Sequence, residues 1–385
     1  MNSNQLSRRN FIKTTGIVSS AVGLTGTSSF AIPSAKPKNP IPQWRGFNLL
    51  DYFGPQHGGG RNKSKEDDFK WMSGWGFDFV RFPIAYPSYL KFDRSKNITP
   101  EEVYQIDEEI VEQIEQVVFL AHKYNLHVSL NMHRAPGYCI NAGFIEPYVL
   151  WTDDEALKAF CFHWEMWANR FKNYSREKIS FDLVNEPAMR NDPNDQHSPL
   201  VPVPGQYYRK VAKAAFEAIR SANANHLVIA DGNDVGNQVV HEILDLDIAQ
   251  SCRGYYPHAI SHYQAPWANK YPDQNPIPVW PGKIGNREYS RADLEKLYEP
   301  WIEITKKGVG VHCGECGCWR NTPHDVFLAW FEDVIDVLAQ AGIGYGLWNF
   351  RGDFGIMDSN RKDVDYEDWH GHKLDRKLLT MLQKY

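Results

Sequence analysis

Ile179-Ser180-Phe181-Asp182-Leu183-Val184-Asn185-Glu186-Pro187 is the stretch on which the architecture turns. It is an apolar-rich run, shorter than an ordinary helix, that ends on an amide, a carboxylate and a proline. A packed interior rejects an unpaired charge, so a glutamate closing such a run belongs beyond the edge of a sheet. Pro187 cannot donate to a strand ladder and forces a turn that lifts Asn185 and Glu186 above it. Similar runs rich in Val, Ile and Phe occupy 46–52, 77–84, 126–133, 227–231, 256–263, 309–315 and 343–350. Segments with helical periodicity lie between them, clearest at 100–124, 154–172, 206–222, 291–306 and 324–341. Eight strand-like runs mostly separated by helices predict an α/β fold, a parallel sheet closed into a (β/α)8 TIM barrel. The run at 256–263 fits least well, because Pro257 stands near its start. No internal repeat and no second composition regime divides 44–385, which reads as a single domain.

In such a barrel, chemistry gathers where the strands end and their loops begin. The second run ends in Arg81-Phe82-Pro83, the third in His133 and the fourth in Asn185-Glu186-Pro187. The sixth ends near His262-Tyr263, the seventh at Gly314-Glu315 and the eighth at Trp348-Asn349. The loop 264–285 is long and carries Trp267 and Trp280, as binding loops do. Glu186 and Glu315 stand out among 47 acids because each closes a β-run, on strands that face each other across the barrel. Acids such as Glu101, Glu102, Glu108 and Glu109 read instead as a solvated helix face. Two carboxylates flanking one cleft are what glycosidic-bond hydrolysis needs. One protonates the leaving oxygen, and the other attacks the anomeric carbon or activates water.

Composition narrows the partners. With 42 basic and 47 acidic side chains the net charge is −5, which argues against a nucleic-acid face. The aromatic fraction of 14% is high, and flat rings with polar edges suit sugars as well as cores. The six cysteines are too scattered for a disulfide scaffold. Cys313-x-x-Cys316-x-Cys318 resembles half a zinc site, but lacks a second pair and reads as small buried residues at a strand end. No metal or cofactor is expected.

Ser7-Arg8-Arg9-Asn10-Phe11-Ile12-Lys13 is a twin-arginine pattern, followed by an uncharged stretch and Ser29-Phe30-Ala31, a small-x-small cleavage site. Residues 1–31 are therefore expected to be a signal peptide of the twin-arginine (Tat) type, and 32–43 a Pro-rich leader. Removal of the signal takes away Arg8, Arg9 and Lys13 but no acid, moving the net charge from −5 to −8. The expected product is a periplasmic or secreted monomer that meets the Tat export machinery, then its saccharide, with no membrane association after processing.

Val184-Asn185-Glu186-Pro187 resembles the acid/base strand of glycoside hydrolase family 5, the cellulase family of clan A. Gly314-Glu315-Cys316-Gly317 is similar to that family's nucleophile motif, with Cys where Phe is common. Arg81, His133, His262, Tyr263 and Trp348 fall in the family's chain order, and 346–356 resembles the last-strand segment of endoglucanase-type members. The resemblance implies a retaining β-glycoside hydrolase, endo-β-1,4-glucanase-like. Glu186 would be the acid/base and Glu315 the nucleophile, with Asn185 on the sugar 2-hydroxyl. Arg81 would hold Glu315 ionised, His133 would contact substrate, and Trp348 would form the floor under the reactive ring. The family's sixth-strand pattern is His-x-Tyr, whereas His262 and Tyr263 are adjacent and Gln264 follows. Which of these three reaches Glu315 stays open. Asp231, Asn233 and Asp234 read as a turn, and His370-Gly371-His372 as a polar loop.

Three alternatives remain: a β-mannanase or other β-glycosidase of the same fold, a glycan-binding barrel without catalysis, and a metal-dependent barrel hydrolase. The binding reading predicts that one carboxylate is missing, and the metal reading needs partners that His133 and His262 lack at ligand spacing.

Overall fold

Eight parallel strands close on themselves in sequence order: β1 (Arg45–Asn48), β2 (Phe79–Ala85), β3 (His127–Ala135), β4 (Ile179–Asp182), β5 (Leu227–Asp231), β6 (Ala249–Gly254), β7 (Val311–Cys316) and β8 (Gly344–Leu347). β8 pairs with β1 through Arg45↔Tyr345 and Phe47↔Leu347, which completes the (β/α)8 barrel. The computed structural model describes residues 39–141, 146–192 and 194–385, all within one compact unit. The twin-arginine pattern, the cleavage site and 32–38 of the leader lie outside the described residues.

The helices wrap the outside: α1 (Glu66–Gly74), α2 (Glu108–Lys123), α3 (Asp154–Arg170), α4 (Gly205–Ala222), α5 (Arg291–Lys306), α6 (His324–Gln340) and α7 (Arg376–Leu382). Each buries one stripe against the strands. On α2 the stripe is Ile110, Val111, Ile114, Val118 and Ala121. Trp164, Trp167, Trp301 and Trp330 are fully buried there, so much of the aromatic excess belongs to the core. α5 begins where Ser290 and Asp293 form a reciprocal capping box. α2 starts later than the periodicity predicts. Glu102–Tyr104 is a 3₁₀ turn, and Asp107 stands in extended backbone just before the helix.

Alternate strand residues enter the barrel, and their character changes from bottom to top. Phe79, Leu227, Ile229 and Ala249 form an apolar layer with Ile41 and Trp44. Two residues further along the same strands come Arg81, Asp231, Ser251 and then Arg253, all buried. Hydrophobic burial thus anchors the lower half, and an ionic layer lies directly beneath the rim. Packing begins before residue 44: Asn39 Nδ2 donates to the Val311 carbonyl (2.6 Å), and the Asn39 side chain also accepts from Val311 N–H (3.1 Å).

The sixth strand is not at 256–263. It is Ala249–Gly254, and 258–261 forms a short helical turn, His258–Ser261. Pro257 cannot join a ladder, which is why pairing stops before it. The real strand escapes a hydrophobicity reading because Ser251 and Arg253 face the ionic layer, while Gln250 spends its amide on both backbone groups of Val240 (2.9 Å each).

β1 and β2 approach so closely that a Cβ on Gly46 would lie 1.7 Å from the Phe79 carbonyl oxygen. That atom is backbone and cannot rotate away. Gly46→Ala is therefore expected to destabilise the barrel by about 3 kcal/mol or more, read as the midpoint of urea unfolding. An unchanged midpoint would mean that this seam is looser than described.

Candidate active site

Two buried arginines organise the rim. Arg81, on β2, donates from Nε to Asp182 Oδ2 (2.7 Å), from Nη1 to Glu315 Oε1 (2.6 Å) and from Nη2 to Asn185 Oδ1 (3.0 Å). Arg253, on β6, donates from Nε to Glu186 Oε1 (3.1 Å) and from Nη1 to Asp231 Oδ1 (2.9 Å). Its Nη2 reaches Asn185 Oδ1 (3.0 Å) and Glu315 Oε1 (3.3 Å), and pairs closely with the second Asp231 oxygen. Glu186 and Glu315 therefore converge on a single guanidinium from opposite strands.

Each glutamate owes its direction to the local backbone. β4 pairing ends at Asp182, and Glu186 adopts a left-handed φ of 49°. That conformation is held from three sides. Glu186 N–H donates to Asp231 Oδ2 (2.9 Å), its carbonyl accepts from Tyr138 Oη (2.6 Å), and Ala188 N–H donates to the same Tyr138 oxygen (2.9 Å). A non-glycine residue in this region costs on the order of 1–3 kcal/mol, maintained here by these three bonds. On β7 the register slips between Cys313 and Glu315. Glu315 meets Arg81 in the interior. Cys313 and Cys316 are buried, as small residues at a strand end are expected to be.

Four carboxyl groups (Asp182, Asp231, Glu186 and Glu315) share these two cations. Burial works against ionised Asp231, but Arg253 and Arg81 outweigh it and hold its carboxyl below the usual range. Burial pushes Glu186 up to about 7, reinforced by the nearby Glu315 charge and opposed by Arg253. Burial and the charge of Asp231 likewise push Asp182 up to about 7. Burial and the Glu315 charge, against the pull of Arg253, thus leave Glu186 about half protonated at neutral pH beside Glu315. Such a pair offers an acid on one side of a bond and a carboxylate on the other.

The hydroxyl that reaches Glu315 comes from Tyr255, which donates to Glu315 Oε2 (3.2 Å). It does not come from His262, Tyr263 or Gln264. This correction follows from the earlier end of β6, after which Arg253-Gly254-Tyr255 supplies the spacing of the family's His-x-Tyr pattern. His262 lines the cleft and lies edge-on to the Tyr255 ring (5.0 Å), whereas Tyr263 is buried away from the cleft lining. Asp231 is also not merely part of a turn. Its neighbours Asn233 and Asp234 make one, with Asn233 bonded to both backbone groups of Val203. Its own side chain enters the barrel and joins both arginines to the Glu186 backbone.

Arg81, His133, Asn185, Glu186, Glu315 and Trp348 are brought together as the sequence implies. Trp348 and Phe53 flank His133 at ring distances of 5.9 and 4.3 Å. Burial and the Arg81 charge hold the His133 imidazole well below its ordinary pKa, so it is neutral. Among the described residues, Asn349 Oδ1 and Trp319 Nε1 at the cleft are buried without a hydrogen-bond partner, while the Asn185 amide is the hydrogen-bonding neighbour of the His133 ring. Buried polar atoms are rarely left so, and those at the cleft are open to hydrogen bonds from a bound ligand. The cleft encloses about 1120 Å³, and Trp267, Trp319 and Phe354 form an aromatic wall beyond the carboxylates. That is room for several sugar rings.

Comparison with known proteins agrees with this geometry. The sequence model of the family described as Cellulase (glycosyl hydrolase family 5) matches residues 34–353. Endoglucanase C of Acetivibrio thermocellus is 27% identical over 327 residues, covering 78% of this chain and 88% of that protein. Cellodextrinase A of Ruminococcus flavefaciens is 28% identical over 287 residues, covering 73% and 77% respectively. Among solved structures, a glycoside hydrolase with 33% identity superposes with a TM-score of 0.78 over 89% of this chain and 99% of its own.

Proposed function

The chain belongs to glycosyl hydrolase family 5 and is a glycoside hydrolase, and from that premise we propose that it cleaves β-linked glucan chains with retention of anomeric configuration. Glu186 is the acid/base, and Glu315 is the nucleophile. The observation that carries this reading is the Glu186–Arg253–Glu315 arrangement, in which one carboxyl retains its proton near neutrality and its partner is held by two guanidiniums and Tyr255. Glu315 attacks the anomeric carbon while Glu186 gives its proton to the departing oxygen. The ester is then hydrolysed by water that Glu186, now ionised, activates. Asn185, whose Oδ1 is fixed by both arginines, turns Nδ2 toward the sugar 2-hydroxyl, and Trp348 is the floor under the reacting ring.

The open cleft and the names of the relatives, an endoglucanase and a cellodextrinase, support gluco-configured chains attacked internally. Export through the twin-arginine route and action as a monomer outside the cytoplasm complete the proposal, supported by the pattern at Ser7–Lys13 and the site at Ala31.

The test is a panel of soluble cellulose derivative, mixed-linkage glucan, mannan and xylan with reducing-end detection, followed by NMR of the first-formed anomer. Fastest cleavage of the glucans with a β-anomer appearing first is expected. Preference for mannan would overturn the substrate assignment. An α-anomer would overturn retention, and a crystal structure with carboxyl groups beyond about 7 Å, rather than about 5–5.5 Å, would do the same.

A further inference from the structure

Arg253, which joins the two glutamates, is the most connected side chain at the rim among the described residues. Its guanidinium bonds Glu186, Glu315, Asn185 and Asp231 at once. The surroundings are shaped to hold it. A Cβ on Gly236 would lie 2.6 Å from Arg253 Cγ, so only glycine, here at φ +79°, admits the stem. Tyr298 Oη donates to the Arg253 carbonyl (3.0 Å), and the Asp231 clamp fixes the head. The residue is also at the first position of Arg253-Gly254-Tyr255, where the family pattern has histidine, a side chain with one ring rather than a planar five-donor fork.

We propose that Arg253 is a positioning residue that stays paired while negative charge passes from Glu315 to Glu186 during glycosyl transfer. The inference rests on the acid/base and nucleophile assignments above. In the first step a bond forms between a Glu315 oxygen and the anomeric carbon, and the bond from that carbon to the leaving oxygen breaks. The Glu186 proton goes to the leaving oxygen. Glu315 becomes a neutral ester, and Glu186 becomes the carboxylate. A cation touching only one glutamate would favour one end of this step. Arg253 touches both, through Nη2 and Nε, so the charge moves along a fixed fork without reorganisation. The groups facing Glu186 are Glu315 from β7, Asp231 from β5, Arg253 and Tyr255 from β6 and its end, and Tyr138 and Cys139 beyond β3. Arg253 is the cation bonded directly to the Glu186 carboxyl.

The experiment compares Arg253→Gln and Arg253→Lys in the full chain, on whichever panel substrate the native enzyme cleaves, with kcat and kcat/KM followed against pH. Loss of the cation leaves the Glu186 proton harder to remove. The alkaline limb in Arg253→Gln is therefore expected to move up by about one pH unit or more. Arg253→Lys keeps the charge but not the fork. Its limb should stay within about half a unit of native, while kcat falls roughly tenfold or more through lost orientation, with KM little changed. A folded Arg253→Gln variant with the native limb would overturn the inference. If Arg253→Gln does not fold, because Asp231 is left unpaired, Arg253→Lys decides alone: native kcat overturns the inference, and lowered kcat with a native limb supports it. Glu186→Gln serves as the control. A limb that survives there would sink the acid/base assignment itself, an outcome distinct from failure of Arg253.

Discussion

Glu315→Ala is expected to lose on the order of 10⁴-fold or more in kcat on every substrate, because no glycosyl-enzyme can form without the attacking oxygen. The effect should not depend on the leaving group. Arg81 and Tyr255 still surround the vacated position and can receive a small anion. Added azide is therefore expected to attack the anomeric carbon directly, with Glu186 still protonating the leaving oxygen, and to give a glycosyl azide of inverted configuration. The check is NMR of the azide product beside the rate with and without azide. Near-native activity in Glu315→Ala would remove this residue from the chemistry.

Glu186→Ala should behave differently, and the contrast carries more weight than either loss alone. A dinitrophenolate needs no proton to depart, so formation of the intermediate from such a substrate should survive largely intact. Hydrolysis of poor leaving groups should fall by roughly 10²–10⁴-fold, the usual contribution of acid catalysis. Azide should then intercept the ester, and two inversions give a product of retained configuration. The pH profile supplies an independent reading. With its carboxyl pushed up to about 7, Glu186 holds its proton below that pH and loses it above, so the native rate should fall as pH rises through about 7. Glu186→Gln should abolish that alkaline limb. If both variants gave the same azide stereochemistry, the division of labour would be wrong.

How far the sequence shows this site depends on what each strand places inside. β4 and β7 are legible because a carboxylate ends an otherwise apolar run, a conflict that burial alone does not explain. α5 is legible at both ends, since Ser290 caps its start and Gly308 follows its last turn closely. β6 is not legible by hydrophobicity. Its upper inward positions, Ser251 and Arg253, serve the ionic layer, and its outward positions, Gln250, Cys252 and Gly254, are small or polar. With β6 displaced, Arg253 and Tyr255 lie outside the strand ends that hydrophobicity marks. The signal that does locate them is spacing: Arg253 and Tyr255 stand two apart, as the family pattern requires, whereas His262 and Tyr263 do not. Asp182 and Asp231 are hidden for a related reason. Inside an apolar strand a lone Asp reads as noise until its arginine partner is known, and that partner lies on another strand, Arg81 for Asp182 and Arg253 for Asp231.

The mechanism requires that Glu315, and not Glu186, becomes covalently bound to the sugar. A 2-deoxy-2-fluoro glycoside with a dinitrophenolate leaving group slows the second step more than the first and lets the ester accumulate. Peptide mass spectrometry of the trapped protein should place one fluoroglycosyl group on the peptide containing Glu315. Label on Glu186, or time-dependent inactivation with no covalent label at either residue, would contradict the mechanism.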